Sequence, residues 1–347
     1  MIGKFTGHCK APAFSNSLTM VSLRFCLVAA CLSAGCATQH NGVGSEEHRG
    51  LPTTLNAQSP DSPIPGYEAP KSLDEAVRRG DAARQAGDGQ RAIFEYTQGL
   101  ELGGDTSTLY ARLTAVNYEL GHSVPASYAA QKTLTLKPDD PTAHEILGQL
   151  FLQKKNYEQS AAHFNATLEA TKNLIIDGIP VLDAKPPERV RAGLAARFKA
   201  HLGLALIYDL QLKFAEAKSQ YAAALALNPR SVQAINNYGY SLYLQEEYTG
   251  AMQQYQRALK IEASSEAVWR NIGLLMFRQN KIHEAEDALL RVLEPYEAYN
   301  DLGYLLMLSN RFSEARTYFE KAINSVNYYY EPAYKNLDLL ERKAGSR

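Results

Sequence analysis

Apolar residues in the middle of the chain advance by threes and fours. Phe214, Ala217, Tyr221, Ala224 and Leu225 fall on one face of a helix, and the intervening positions are mostly polar or small. The pattern then recurs. Laid against itself, the chain shows a period of about 34 residues, in windows opening at Leu73, Ser107 and Pro141 and, after an interruption, at Phe198, Val232 and Glu266. A seventh opens four residues early, at Tyr296. Position 20 of the windows is Ala92, Ala126, Ser160, Ala217, Ala251, Ala285 and Ala315. Position 8 is Gly80, Thr114, Gly148, Ala205, Gly239, Gly273 and Gly303, and position 24 is Tyr96, Ala130, Phe164, Tyr221, Tyr255, Leu289 and Phe319. Small residues at 8 and 20 let two helices cross at close range, and a large residue at 24 fills the space between one hairpin and the next. Pro138 and Pro229, at position 32, stop the second helix because proline has no N–H to donate.

This pattern resembles the tetratricopeptide repeat (TPR), which implies an all-α solenoid of about seven helix hairpins. Repeats 1–3 are expected over residues 71–174 and repeats 4–7 over 191–329, with an insertion loop at 175–190 between them. Asp177-Gly178, Pro180, Pro186 and Pro187 break the period there, and the next helix is expected to start early, near Pro187. The first two windows look loosest, with Gly99, Thr114 and Thr133 at packing positions. Residues 330–347 read as a capping helix and tail, the helix opening at Glu331-Pro332 and running to about Lys343 with a polar outer face.

The resemblance also implies a groove lined by the first helix of each repeat. Carried onto the most regular windows, its positions place Asn236, Asn237, Tyr240, Tyr243, Arg270, Asn271, Phe277, Asn300, Tyr304 and Met307 in or beside that groove. Asparagine can both donate to and accept from the amides of an extended peptide, and aromatic rings seat its side chains. Arg270 and Glu297 add a mixed pair of charges, which suits a protein segment better than a polyanion. The alternative is that the asparagines pair with adjacent helix ends and the tyrosines pack between repeats. The several Lys and Arg of the carboxylate-clamp repeats are not present at these positions.

Chemistry is otherwise sparse. The sequence has no Gly-rich phosphate loop, nucleophile elbow, His-Glu-x-x-His or EF-hand spacing. His283 lies on a solvated helix face, and His144 and His201 stand where a neighbouring helix packs. No enzyme, cofactor or metal is expected. Lys+Arg 36 against Asp+Glu 37 gives a net charge of -1, which argues against a general basic field for nucleic acid.

All four cysteines, Cys9, Cys26, Cys31 and Cys36, lie near the start, so the body can hold no disulfide or thiolate site. Lys4, Lys10 and Arg24 precede a short apolar run, Phe25 to Leu32, too short to span a bilayer but suited to a signal peptide over residues 1–35. Leu32-Ser33-Ala34-Gly35-Cys36 resembles the lipobox of bacterial lipoproteins, which implies that Cys36 is lipidated and becomes the mature N-terminus. Val28-Ala29-Ala30-Cys31 has a similar form but leaves an apolar run of barely six residues, and Met20 offers a second start with Arg24 as its charge. Residues 36–70, rich in Pro, Ser, Thr and Gly, read as a disordered tether from the lipid to the body.

A finer resemblance lies near the other end. Tyr299-Asn300-Asp301-Leu302-Gly303-Tyr304-Leu305-Leu306-Met307-Leu308, with Tyr328-Tyr329-Tyr330 and Asn336-Leu337, is similar to the C-terminal part of TadD-type lipoproteins of Flp/Tad pilus assembly. It implies a lipid-anchored pilotin on the periplasmic face of the outer membrane, binding a secretin or pilus component. The alternative is a periplasmic scaffold for peptidoglycan or polysaccharide machinery.

Overall fold

The computed structural model describes residues 67–174 and 187–345. The predicted signal, Cys36, nearly all of the tether and most of the predicted insertion lie outside the described residues. Those that are described divide into two compact units, 67–241 and 242–345.

In the first unit, helices pair in chain order. Hairpins are formed by α1 (Leu73–Gln85) with α2 (Gly89–Glu101), α3 (Ser107–Glu119) with α4 (Ser123–Leu136), α5 (Pro141–Gln153) with α6 (Tyr157–Ala170), and α7 (Glu188–Leu210) with α8 (Phe214–Leu227). A 3-10 turn, Lys172–Leu174, follows α6. Helix α9 (Val232–Leu244) carries the division between units. The second unit continues with α10 (Tyr248–Leu259), α11 (Glu266–Arg278), α12 (Ile282–Leu289), α13 (Pro295–Leu308), α14 (Phe312–Asn324) and α15 (Glu331–Gly345). There α11 pairs with α12 and α13 with α14, while α15 packs on α14 and α13. The fold class is an all-α TPR solenoid.

Why the helices start where they do is visible in their caps. Ser72, Asp88, Asp140 and Asn156 each accept a hydrogen bond from the backbone N–H three residues on, and Pro141 and Pro295 occupy first helical positions. The turn inside every hairpin uses one device. Gly87, Gly121, Lys155, Leu212, Glu246, Asn280 and Asn310 all stand at window position 15, and all have φ between 58° and 82°. This left-handed residue reverses the chain in all seven repeats, although only two are glycine.

The period is explained by complementary volumes. A Cβ built on Gly80 would lie 2.2 Å from the Tyr96 ring, on Gly148 2.5 Å from Phe164, and on Gly303 2.6 Å from Phe319. Position 8 is therefore the seat of position 24 within the same hairpin. Phe164 also presses on Gly203 of the following hairpin, at 2.2 Å from a built Cβ, so there the aromatic joins two repeats as the pattern suggests. Ser160, the polar occupant of position 20, donates to the Gly148 carbonyl at 2.7 Å.

The two windows that look loose in sequence are closed by other means. Thr114 and Thr133 are fully buried with their hydroxyls 3.3 Å apart, and each also donates to a carbonyl one turn back. Gly99 brings Ala76 and Leu109 so near that a Cβ would sit 2.6 Å from the Ala76 methyl.

Two departures from the period have structural causes. Helix α7 is 23 residues long because its first turns precede the repeat, so residues 188–190 of the predicted insertion are helical. Gly193 admits Leu174 onto this extension, and Arg197 donates to the Leu168 carbonyl at 2.9 Å. Helix α12 has 8 residues where other second helices have 12 to 14. The missing turn accounts for the seventh window opening four residues early.

Candidate functional site

The ten residues assigned to a groove fall in both units. Asn236, Asn237 and Tyr240 belong to the first, and Tyr243, Arg270, Asn271, Phe277, Asn300, Tyr304 and Met307 to the second.

In the second unit, α11, α13 and α15 are joined by polar bonds at repeating positions. Arg270, at position 5, donates to Asp301 at position 6 of the next window, at 2.5 Å, and also to Glu266 at 2.8 Å. Asn300, again at position 5, accepts a 2.9 Å hydrogen bond from Asn336, the sixth residue of α15. The same rung thus occurs twice. Burial pushes the Asp301 carboxyl above its ordinary range, while the Arg270 guanidinium works against that shift. Glu297, the other charge of the groove set, is engaged in its own helix start, where it accepts from the Glu294 backbone N–H at 3.3 Å.

The asparagines are not open groove residues. Asn236 is 4% exposed, Asn271 6% and Asn300 8%. Phe277 and Met307 belong to the apolar core with Leu302, Leu306 and Phe319, and Tyr304 packs against that core. Tyr240 is also buried. What the solvent reaches is a narrower set: Arg270, Tyr243, Tyr304 and, in the first unit, Asn237. Arg278 lies 3.4 Å from the Tyr248 hydroxyl and 3.5 Å from Glu246. Tyr296 packs edge-on to Tyr328 and Tyr330, and Tyr329 stacks on Tyr334 at 4.6 Å, which presents an aromatic surface beside α15. Sequence reasoning missed Asn336 as a rung, since it lies beyond the seventh window; its offset from Glu331 was the available signal.

The histidines do pack between helices. His201 Nδ1 is 2.7 Å from Gln220, and His144 Nδ1 is 3.0 Å from His163 Nδ1. Among the described residues, no group of three His, Cys, Asp or Glu is placed to hold a metal ion, and no helix is long and apolar enough to cross a membrane.

Models of the tetratricopeptide repeat match residues 126–174, 239–280 and 296–325. This chain is a TPR protein. TPR arrays bind other proteins and are typically non-enzymatic scaffolds. This one is distantly related to the type IV pilus assembly protein PilF of Pseudomonas aeruginosa, with 30% identity over 133 residues, which is 35% of this chain and 50% of that protein. The chain thus spans about half the length of the curated relative it matches. A TPR protein of Parabacteroides merdae superposes with a TM-score of 0.54 at 16% identity, covering 78% of this chain and 99% of that one. That likeness shows the fold. P. aeruginosa PilF itself gives a TM-score of 0.47 at 19% identity, covering 62% of this chain and 88% of that one.

Proposed function

We propose that this TPR protein is a lipid-anchored assembly factor of the pilotin type, held at the periplasmic face of the outer membrane and gripping a secretin or pilus component. The observation that carries the proposal is the sequence relationship to PilF, a pilus assembly protein. The lipobox-like Leu32 to Cys36 supplies the anchor, and the Pro-rich residues after it supply reach. The TadD-like residues near the C-terminus point the same way. The partner is gripped by the solvent-reached part of the groove set, Tyr243, Arg270 and Tyr304, while Asn271, Asn300, Phe277 and Met307 hold the helices that present them.

Two measurements test this. Mass spectrometry of the N-terminal peptide is expected to find diacylglycerol on Cys36, and an unmodified Cys36 or a mature terminus elsewhere refutes the anchor. Capture from detergent-solubilised envelopes is expected to enrich a secretin or pilus component with the intact protein and much less with Tyr243→Ala/Arg270→Ala. Enrichment of peptidoglycan or polysaccharide enzymes instead makes the protein a scaffold for those machines.

A further inference from the structure

Helices α3, α5 and α7 are the first helices of hairpins two to four, and they pack side by side in the first unit. Glu145 stands at window position 5 of α5, the position that carries the rungs described above. It is 1% exposed, and its Oε1 has no hydrogen-bond partner. Its other oxygen faces Lys199 of α7, whose ammonium is 3.6 Å away. Charge-assisted bonds close to about 2.7–2.9 Å, so this pair is not fully made.

Among the described residues, Lys199 is the one charge that acts on Glu145. Arg112 of α3 lies 3.0 Å from Asp81 and 3.2 Å from Glu188. A carboxylate taken out of water with one oxygen unmatched costs free energy, and ion pairs closed inside a protein normally satisfy both oxygens. Burial accordingly pushes the Glu145 carboxyl up, with Lys199 and Gln149 offsetting only part of it. A purely structural pair would close its contacts. Lys199, by contrast, keeps half of its side chain in solvent, 50% exposed, on a long flexible stem.

We propose that Glu145 is the seat for an arginine side chain of a bound protein segment, with the Lys199 ammonium as a displaceable occupant. A guanidinium brings a positive charge and two parallel N–H donors in a fork, which match a carboxylate that has one oxygen empty and the other loosely held. Lysine fits less well, because a single ammonium repeats what Lys199 already does. The seat lies on repeats two to four, so it is separate from the surface around Arg270 and does not depend on the partner proposed above.

The test uses the full chain in detergent and a fluorescent pentapeptide with one central arginine flanked by alanines. Its control replaces arginine with citrulline, the uncharged isostere. The arginine peptide is expected to bind saturably and at least ~10-fold more tightly than the citrulline peptide, as expected for a charged pair in a desolvated site. Lys199→Met is expected to tighten arginine binding several-fold by removing the competitor, and Glu145→Gln to erase the preference. Circular dichroism checks that each variant is folded, and Glu145→Asp serves as a second probe should Glu145→Gln fail that check. Equal binding of both peptides, no arginine binding by wild type up to on the order of 5 mM, or weaker binding by a folded Lys199→Met overturns the proposal.

Discussion

Replacing Gly303 by alanine sets two known effects against each other within one helix. Alanine is worth about 1 kcal/mol over glycine in a helix interior, so propensity favours the change. The new methyl, however, would lie 2.6 Å from two ring carbons of Phe319, which is completely buried. Carbon atoms rest about 3.5–4.0 Å apart, so α13 and α14 must separate by on the order of 1 Å or the ring must leave its rotamer. Overpacking of this kind costs about 1–3 kcal/mol and outweighs the propensity gain. Gly250→Ala in α10 is the internal control: its nearest neighbour is the Leu242 side-chain tip at 3.3 Å, which can yield. Urea melts followed by helical circular dichroism are expected to show Gly303→Ala destabilised by about 1 kcal/mol or more, and Gly250→Ala neutral or stabilised by up to about 1 kcal/mol. Gly303→Ala/Phe319→Leu should recover part of the loss. If Gly303→Ala proves as stable as Gly250→Ala, the seat of position 24 on position 8 is not what sets the period.

Three further outcomes are expected. Asn300→Ala strands the half-buried Asn336 amide and should cost about 1 kcal/mol, most of it shared with Asn336→Ala in a double-mutant cycle, with faster amide exchange concentrated in α15; additive effects would mean the rung carries no coupling. Burial raises the Asp209 carboxyl to about 6, despite hydrogen bonds from Ser241 and Tyr221, so the fold holds this proton more tightly than the unfolded chain does; the stability it contributes at pH below 3.8 is lost as pH rises through about 6. Asp209→Asn removes that loss, so its stability relative to wild type should improve between pH 4 and pH 7 by on the order of 3 kcal/mol, and an unchanged difference would show that Asp209 titrates normally. Leu212→Asn should raise the melting temperature, since an exposed leucine is held at φ 59°, a conformation asparagine tolerates and leucine does not; a lower melting temperature would contradict this.

What could be read from the sequence was whatever repeats. Small residues at 8 and 20 and a large one at 24 marked the hairpins, because packing volume is a property of residue type, and Pro186-Pro187 marked the early start of α7. The chain reversal at position 15 escaped notice, since Lys155, Leu212 and Glu246 give no glycine signal and the backbone imposes φ through the turn. The groove was legible as a set of positions but not as a surface: nothing in the letters separates an asparagine facing a ligand from one paired to a neighbouring helix, as Asn300 is to Asn336. Glu145 was invisible for the same reason. Its ion partner, Lys199, lies across the insertion in sequence.

The short helix α12 has a mechanical consequence. Stability in a repeat array is approximately the sum of each hairpin and its contacts with immediate neighbours, so the array yields first where a hairpin offers least. A second helix of 8 residues gives α13 one turn less to lean on than its counterparts elsewhere. Under load, the segment from Pro295 onward should give way first at that joint and unfold as one block, Leu302, Leu306, Phe319 and Leu340 leaving the shared core together. Pulled from its C-terminus in an optical trap, the chain is expected to lengthen first by a step matching residues 295–345, and only afterwards by the remainder.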